Sequence, residues 1–155
     1  MANYITVFEL GERRYGIPLA DTCRFLPLPT IAPLPKAPII VEGVVDVGGT
    51  VVPVLDIRRR FGLPAKAPHP ADHLVLALAG SRNIALRVDR VLGIEDVDPK
   101  DIEDATKITP RVEYVAGVAK LPDGLVVIHD LSTFLAEAEA RDVDAALENS
   151  SPESP

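Results

Sequence analysis

A strand-turn-strand pattern occurs twice in this chain, and this repetition limits the available folds more than any other sequence feature. Residues 43–57 recur at 117–131 with a constant offset of 74 and no gap. Gly43, Val44, Val52 and Asp56 of the first copy have the same residue type at the matching position of the second copy, and most other matched pairs are apolar in both copies. Each copy predicts two β-strands joined by a tight turn and followed by an Asp that caps a helix. Two such modules are expected to form two small units side by side, which suits a binding groove better than a catalytic pocket.

The remaining residues predict further strands in the same order in both halves. At an offset of 69, Gly80 falls on Gly11 and Ile94 falls on Phe25. The predicted strands are 4–10, 13–19, 22–26, 73–78 and 83–88, with turns at 11–12, 48–49 and 80–81. The predicted connectors are 27–38, which contains five prolines, 65–71 and 96–110. These patterns predict an all-β chain of two small antiparallel barrels, the first mainly 12–64 and the second mainly 72–130, with exchange of strands between them left open.

The C-terminal part of the chain changes from strand to helix periodicity. Leu131, Phe134, Leu135 and Ala138 follow helical spacing, so a helix is predicted to about residue 140, with a continuation toward 147 left open. The polar residues 149–155 offer nothing to bury. We therefore expect one folded domain over 1–140 and an acidic, flexible tail over 141–155.

Composition and charge exclude several classes of protein. The chain has a net charge of −7, which argues against nucleic acid as a partner because binding phosphates needs a basic face. The basic run 58–60 is predicted to lie on the solvated face of a short helix. Cys23 is the single cysteine, which rules out an intrachain disulfide framework. The sequence shows neither a signal peptide nor an apolar run near the roughly 18–20 residues of a membrane helix, so we expect a cytoplasmic protein without direct membrane insertion.

The residue types that perform catalysis or bind metals do not form a convincing group in this sequence. His69 and His73 have the spacing of metal ligands, but prolines flank His69 and a third ligand is not evident. Asp56 and Asp130 occupy equivalent positions, and their duplication favours helix capping over paired acid–base chemistry. A phosphate loop and a nucleophile elbow are both missing from the sequence. Elimination favours a binding protein without enzymatic activity, metal or cofactor.

The central run 38–62 resembles the signature of CheW, the family of bacterial chemotaxis coupling proteins. Segments 8–17, 88–94 and 117–131 also resemble parts of that family, so the resemblance covers roughly residues 4–138. It implies two five-stranded antiparallel barrels packed side by side and no enzymatic activity. It also implies two partners, the regulatory domain of a CheA-type histidine kinase and the cytoplasmic tip of chemoreceptors, with recruitment to receptor arrays at the inner membrane.

Two segments depart from the family pattern where the resemblance implies partner docking. The family usually has Asn-Leu-Arg-Gly where this chain has Asp-Val-Gly-Gly at 46–49, and Val-x-Glu-Ile where this chain has Thr-Cys-Arg-Phe at 22–25. Gly48 thus replaces a base and Arg24 replaces an acid, and because charge complementarity sets partner choice, we expect a divergent adaptor. The expected partner-binding residues are Thr22, Arg24, Asp46, Val47, Gly48, Gly49 and Val51. The expected structural motif residues are Gly43, Pro53, Asp56, Gly117 and Asp130.

A β-barrel that binds a small molecule without catalysis is the alternative interpretation. The sequence argues against it because only 5% of the residues are aromatic and convergent polar residues are scarce, whereas small-molecule pockets usually have both. The duplicated module fits an adaptor better, since two adjacent barrels leave a groove in which an amphipathic helix can lie.

Overall fold

The computed structural model describes residues 3–79, 82–104, 115–130 and 137–150. Within these residues the chain forms eleven strands and two α-helices, with 3-10 turns at Leu19–Asp21 and Pro99–Asp101. The strands are β1 Asn3–Leu10, β2 Arg13–Pro18, β3 Thr22–Pro27, β4 Val41–Val47, β5 Thr50–Leu55, β6 His73–Ala79, β7 Arg82–Val88, β8 Arg90–Val97, β9 Ile102–Asp104, β10 Val115–Leu121 and β11 Gly124–His129. The helices are α1 Ile57–Phe61 and α2 Glu137–Ser150. The predicted turn at 80–81 and the predicted helix start at 131–136 lie outside the described residues.

The strands form two sheets with a common plan. One sheet has six strands in the order β8-β1-β2-β11-β10-β9, and the other has five in the order β3-β6-β7-β5-β4. The three-residue β9 is an addition at the end of the larger sheet. Neighbouring strands are antiparallel except for one parallel pair in each sheet, β2 with β11 and β5 with β7. The predicted all-β class with a C-terminal helix is confirmed.

The duplicated segment adopts the same structure in both copies. Val41 lies opposite Leu55 in the β4–β5 hairpin, and Val115 lies opposite His129 in the β10–β11 hairpin, so both strands keep the offset of 74. A register shift follows at the next pair in each hairpin, and every later pair down to the two-residue turn repeats at the same offset. The strand-turn-strand prediction is therefore confirmed for both copies, which also share a bulge that the sequence comparison did not indicate.

The two halves of the chain exchange their first hairpins. The β1–β2 hairpin lies between β8 and β11, both from the second half, and β6–β7 lies between β3 and β5, both from the first half. Strands β2, β6 and β7 therefore lie in the sheet of the other half, which is the exchange between 12–64 and 72–130 that the sequence left open. Sequence alone does not decide this point, because a repeated hairpin presents its apolar residues in the same register to either copy.

The main hydrophobic core joins the two sheets. Its buried members come from β1 and β2 of one sheet, from β5, β6 and β7 of the other, and from α1: Phe8, Leu10, Tyr15, Ile17, Leu55, Ile57, Val75, Ala77, Ile84, Leu86 and Val88. Two smaller clusters lie within the separate sheets. Because burial of apolar surface is the main favourable contribution to folding, the shared core fixes the sheets against each other as one body.

Two glycines at equivalent positions let a connector lie against each repeated hairpin. A Cβ on Gly43 would clash with the carbonyl oxygen of Ala32, and a Cβ on Gly117 would stand 2.6 Å from that of Glu103. At the first site Ala32 and Val44 exchange two backbone hydrogen bonds of 2.8 Å, and at the second site β9 pairs with β10. Only a residue without a side chain lets two backbones approach so closely.

Asp56 precedes α1 but does not cap it. It has φ −85° and ψ 87° at the N-cap position, and its carboxylate makes no hydrogen bond to the helix amides. Asp56 Oδ2 lies instead 3.6 Å from Nε of Arg59. The predicted capping is wrong for Asp56, because this conformation departs from the β-region that aims an N-cap side chain at the first turn. Asp130 follows β11 directly, and the residues after it lie outside the described part of the chain.

Helix α2 extends into the segment predicted to be a flexible tail. Residues 141–150 are helical, and Val143 and Ala146 are each 2% exposed. The expected flexible tail is therefore helical over 141–150, an extension that the sequence left open as far as 147, because the helix has aliphatic side chains to bury. Residues 151–155 lie outside the described part. Among the described helices, none is long and apolar enough to cross a membrane.

Candidate partner-docking surfaces

The β4–β5 turn, residues 46–51, contains most of the predicted partner-binding residues. Gly48 has φ 58° and Gly49 has φ 91°, the left-handed conformations that a two-residue hairpin turn requires. The N–H of Gly49 donates to Asp46 Oδ1 at 2.8 Å, which fixes the turn from within. Asp46, Gly48 and Gly49 are exposed, and nothing lies within 4 Å of a Cβ placed on either glycine. The turn therefore protrudes, and it offers an acid and no base.

Val51 gives this turn an apolar contact surface. It is 50% exposed and lies opposite Asp46 across the hairpin, whereas Pro53 on the same face of β5 is buried. A cleft of about 220 Å³ beside this face is lined by residues of β5, β7 and α2: Val51, Pro53, Arg82, Asn83, Ile84, Val143, Asp144 and Leu147. Arg82 and Asp144 form an ion pair in this cleft. Helix α2 thus borders a predicted docking residue, which the sequence did not indicate.

A second cleft, of about 190 Å³, opens under the β4–β5 turn. Its lining comes from β4, β5, β6 and β7: Val47, Thr50, Val52, Leu76, Ala77, Asn83 and Ile84. In β3, Arg24 pairs with Leu76 and Thr22 pairs with Ala77. The predicted docking residues therefore form two groups on the five-stranded sheet. Thr22 and Arg24 lie in β3 at one end of the sheet, and residues 46–51 lie in β4, β5 and their turn at the other end.

Thr22 makes its side-chain hydrogen bonds to residues inside the protein. Its hydroxyl shares a hydrogen bond of 3.0 Å with Thr6, which is fully buried in β1, and donates to the carbonyl oxygen of Pro18 at 3.2 Å. These bonds join β3 of the smaller sheet to β1 and β2 of the larger one. Arg24 is exposed. Of these two predicted docking residues, Arg24 is available to a partner and Thr22 mainly links the sheets.

Exposed apolar side chains occupy equivalent positions of the repeat in β3 and β8. Phe25 in β3 is 37% exposed, and Ile94, its counterpart in β8, is 50% exposed. Leu92 in β8 is 40% exposed. Both strands end their sheets. We call Arg24, Phe25, Leu92 and Ile94 the sheet-junction surface, because they lie in the strands that end the two sheets, and exposed apolar side chains are one mark of an interaction site.

The β10–β11 turn is the repeat counterpart of the β4–β5 turn but is held differently. Arg14 donates from Nη1 to Asp123 Oδ2 at 2.8 Å and from Nη2 to the Asp123 carbonyl oxygen at 2.9 Å. The hydrogen bond from Arg14 lowers the pKa of the Asp123 carboxyl. Asn83 takes the place of Arg14 in the other repeat and lines both clefts described above. The clefts beside the β4–β5 turn therefore occur where the other repeat has an arginine clamp.

A buried charge network anchors the linker 65–72 to the five-stranded sheet. Arg87, which is 3% exposed, donates from Nη2 to Glu42 Oε1 at 2.6 Å and from Nη1 to Asp72 Oδ2 at 2.9 Å. Its Nη2 also donates to the carbonyl oxygen of Lys66 at 2.6 Å. The hydrogen bonds to Glu42 hold the pKa of the Arg87 guanidinium above its ordinary value, although burial acts in the opposite direction. The sequence signal for this network is Arg87 within the otherwise apolar run from Ile84 to Val88 of β7.

Asp89 joins the same network to the first hairpin. It accepts hydrogen bonds from Arg58 Nη2 at 2.6 Å, from the Gly11 N–H at 2.7 Å and from Lys66 Nζ at 3.0 Å. Burial alone would raise the pKa of Asp89, but these hydrogen bonds, led by the one from Arg58, outweigh it and lower the pKa. Arg58 is only 5% exposed, so the predicted solvated basic run is wrong for this residue, because Asp89 pairs with it inside.

An apolar cavity of about 530 Å³ lies at the end of the six-stranded sheet. Pro18, Ala20 and Ala116 contribute to its lining. Their repeat counterparts are, in the same order, three members of the charge network: Arg87, Asp89 and Glu42. Small residues thus stand where the other repeat has long charged side chains, which accounts for the space.

Two of the three histidines, His69 and His129, make contacts of an ordinary structural kind. The ring of His129 is 3% exposed and stacks on Phe61 with a centroid separation of 3.9 Å. His69 Nδ1 accepts a hydrogen bond from the N–H of Ala71 at 3.0 Å. In the part of the chain that the structure describes, no group of three or more His, Cys, Asp and Glu side chains could hold a metal ion.

Known proteins resemble this chain over most of its length. The family model for the CheW-like domain matches residues 5–139. Chemotaxis protein CheW of Treponema pallidum is 21% identical over 141 residues, which covers 87% of this chain and 83% of the relative. Chemotaxis protein CheW of Rhizobium meliloti is 25% identical over 137 residues, which covers 87% and 88%. Protein FrzA of Myxococcus xanthus is 30% identical over 95 residues, which covers 61% of this chain and 59% of FrzA.

A solved structure gives the same result. The crystal structure of scaffolding protein TtCheW from Thermoanaerobacter tengcongensis matches with a TM-score of 0.76 at 27% identity, and covers 83% of this chain and 89% of that chain. The predicted CheW-like fold is confirmed, and the alternative of a small-molecule-binding barrel finds no support. The protein is an adaptor and not an enzyme. Since the matching family model spans residues 5–139 and the fold agrees with it, this chain belongs to the CheW-like family.

Proposed function

We propose that this non-enzymatic chemotaxis adaptor joins the regulatory domain of a CheA-type histidine kinase to the cytoplasmic tip of a chemoreceptor, in the cytoplasm at receptor arrays. The observation that carries the proposal is the presence of two separate apolar surfaces on one core. One surrounds Val51 at the β4–β5 turn, and the other is the sheet-junction surface. An adaptor needs two such surfaces, because holding both partners at once raises their effective concentration.

The β4–β5 turn is the proposed kinase site. Its backbone is held by the hydrogen bond from Gly49 to Asp46, so little conformational freedom is lost when a partner docks. Val51 supplies an apolar centre. Asp46, opposite Val51, favours a partner with a basic side chain at the rim of the contact.

The sheet-junction surface is the proposed receptor site. A receptor tip is a helical hairpin, and an amphipathic helix binds by placing apolar side chains spaced three and four residues apart into a groove. Phe25 and Ile94 offer apolar contacts on the two end strands, and Leu92 extends the one on β8. Arg24 adds a positive charge beside them.

The charge changes at Arg24 and Gly48 are proposed to set partner choice. A base at the contact favours an acidic receptor side chain, and loss of the turn arginine removes an attraction to acidic kinase residues. The affinities for the cognate partners and for the partners of an ordinary coupling protein should therefore differ in isothermal titration calorimetry. Equal affinities for both sets would contradict altered specificity.

Separate titrations with the two cognate partners test the proposed function. Val51→Asp should weaken binding of the kinase regulatory domain by at least about tenfold and leave receptor-tip binding unchanged, because it places a charge at the centre of one contact only. Phe25→Asp should do the reverse. Ile39→Asp, which changes a 75% exposed side chain just after the proline-rich connector, is the matched control and should affect neither. If Val51→Asp and Phe25→Asp both left both affinities intact, the assignment would be refuted.

A further inference from the structure

Helix α2 lies against the surface proposed to bind the kinase. Val143 and Leu147 line the same cleft as Val51 and Pro53, and Val143 is almost completely buried. The ion pair between Arg82 of β7 and Asp144 of α2 holds the helix at this place. Pro53 is buried and Val51 is half exposed, whereas Leu125, the counterpart of Val51 in the other repeat, is 64% exposed. The helix thus shields part of the face that a partner would need.

Helix α2 has little helical stability of its own. It is 14 residues long, close to the limit at which an isolated helix is marginal in water. Its last turn contains no basic residue, although the helix dipole favours cations there. Asp144 and Glu148 are like charges one turn apart, which destabilises the helix further. A helix of this kind depends on its contact with the sheet, so a competing partner can displace it.

We propose that α2 is an intramolecular cover that competes with the kinase regulatory domain for the Val51 face of β5, an inference that rests on the proposed kinase site. The docked helix shields Pro53 and one side of Val51, and the kinase binds after the helix has left. The apparent Kd then equals the intrinsic Kd divided by the fraction of molecules with α2 undocked. If about one molecule in ten is undocked, releasing α2 tightens kinase binding by roughly tenfold.

Undocking α2 within the full-length chain tests the proposal. Val143→Asp places a charge at a position that is 2% exposed, so it should release the helix and tighten binding of the cognate regulatory domain by roughly tenfold in calorimetry. Circular dichroism should show the accompanying loss of helix. Ala145→Asp adds the same charge on the exposed side of α2, and this matched control should leave the affinity unchanged. Unchanged or weaker binding by Val143→Asp would overturn the proposal.

The Arg82–Asp144 pair gives a second test that direct charge effects cannot imitate. Arg82→Asp and Asp144→Arg change the surface charge in opposite directions, but each breaks the ion pair, so each should tighten binding by about two- to fivefold. Combining them rebuilds the pair with reversed polarity and should restore the wild-type affinity. Opposite effects of the two single changes would reveal direct electrostatics and refute the cover.

The two proposals fail in distinguishable ways. If neither the wild type nor any α2 variant binds the regulatory domain, the proposed kinase site is wrong and the cover is wrong with it. If all of them bind with equal affinity while Val51→Asp still weakens binding, the kinase site stands and only the cover is overturned.

Discussion

Arg87→Met is predicted to destabilise the fold strongly. Methionine keeps an apolar stem of similar length but removes the guanidinium that serves Glu42, Asp72 and the Lys66 carbonyl oxygen. The side chains of Asp72 and Glu42 are only 2% and 16% exposed, so two carboxylates would remain charged with little access to water. Breaking a buried ion pair from one side costs about 3–5 kcal/mol. In a chain of this size, that loss lowers the Tm by something on the order of 10 °C.

Thermal and urea denaturation followed by circular dichroism at pH 7 measure this effect. Arg14→Met is the matched control, because Arg14 also bonds an aspartate twice, but the side chain of that aspartate, Asp123, is 73% exposed. Water replaces the lost contacts there, so a much smaller change is expected. Equal losses for Arg87→Met and Arg14→Met would refute the claim that burial, and not the number of hydrogen bonds, determines the contribution of the network.

Two further predictions concern Gly117, against which β9 packs, and the carboxylate of Asp89. Gly117→Ala should lower the free energy of unfolding by about 1–3 kcal/mol in urea titrations, because the new Cβ would stand 2.6 Å from the Glu103 carbonyl oxygen. An unchanged midpoint of the urea titration would show instead that β9 moves aside freely. Asp89→Asn should cost stability at pH 7. Since the folded-state pKa of Asp89 is lowered, its contribution is present above the unfolded value near 4 and is lost as the pH falls through the folded value. The difference in Tm between wild type and Asp89→Asn should therefore shrink below about pH 4, and a constant difference would contradict this linkage.

The repeated hairpins are predictable from sequence because their determinants are local. Gly48-Gly49 suits a two-residue turn, and the flanking Val-rich runs suit buried strands, so both the elements and their pairing follow from about fifteen residues. The equivalence of Gly43 and Gly117 also appears in the sequence. Their reason, the close approach of a connector, becomes visible only in the structure.

The exchange of hairpins and the position of α2 depend on contacts between distant segments. A hairpin from either half fits the same place by pattern, and the choice is made by the shared core around Phe8, Tyr15 and Leu86. The sequence left open whether the helix continues beyond residue 140, and the surface of β5 and β7 that holds Val143 there belongs to distant segments. Asp56 fails as a cap for a similar reason, since the backbone that enters α1 is set by the preceding buried strand.

The candidate site also combines features that local sequence determines with features that depend on contacts between distant segments. The protruding β4–β5 turn follows from its glycines, and Arg24 is exposed, while its role in docking stays a prediction. The bonds of the Thr22 hydroxyl to Thr6 and Pro18 join two sheets, and no local pattern indicates such a pair. The apolar counterparts Phe25 and Ile94 were aligned in the sequence, but their shared exposure on end strands is a property of the fold.

Sedimentation velocity of the 155-residue chain mixed with the cognate kinase regulatory domain and receptor tip tests the central claim most directly. Two independent surfaces on one core predict a ternary complex, from which Val51→Asp removes only the kinase and Phe25→Asp removes only the receptor. If the two partners displaced each other, or if either substitution removed both, the account of two separate docking surfaces would be contradicted.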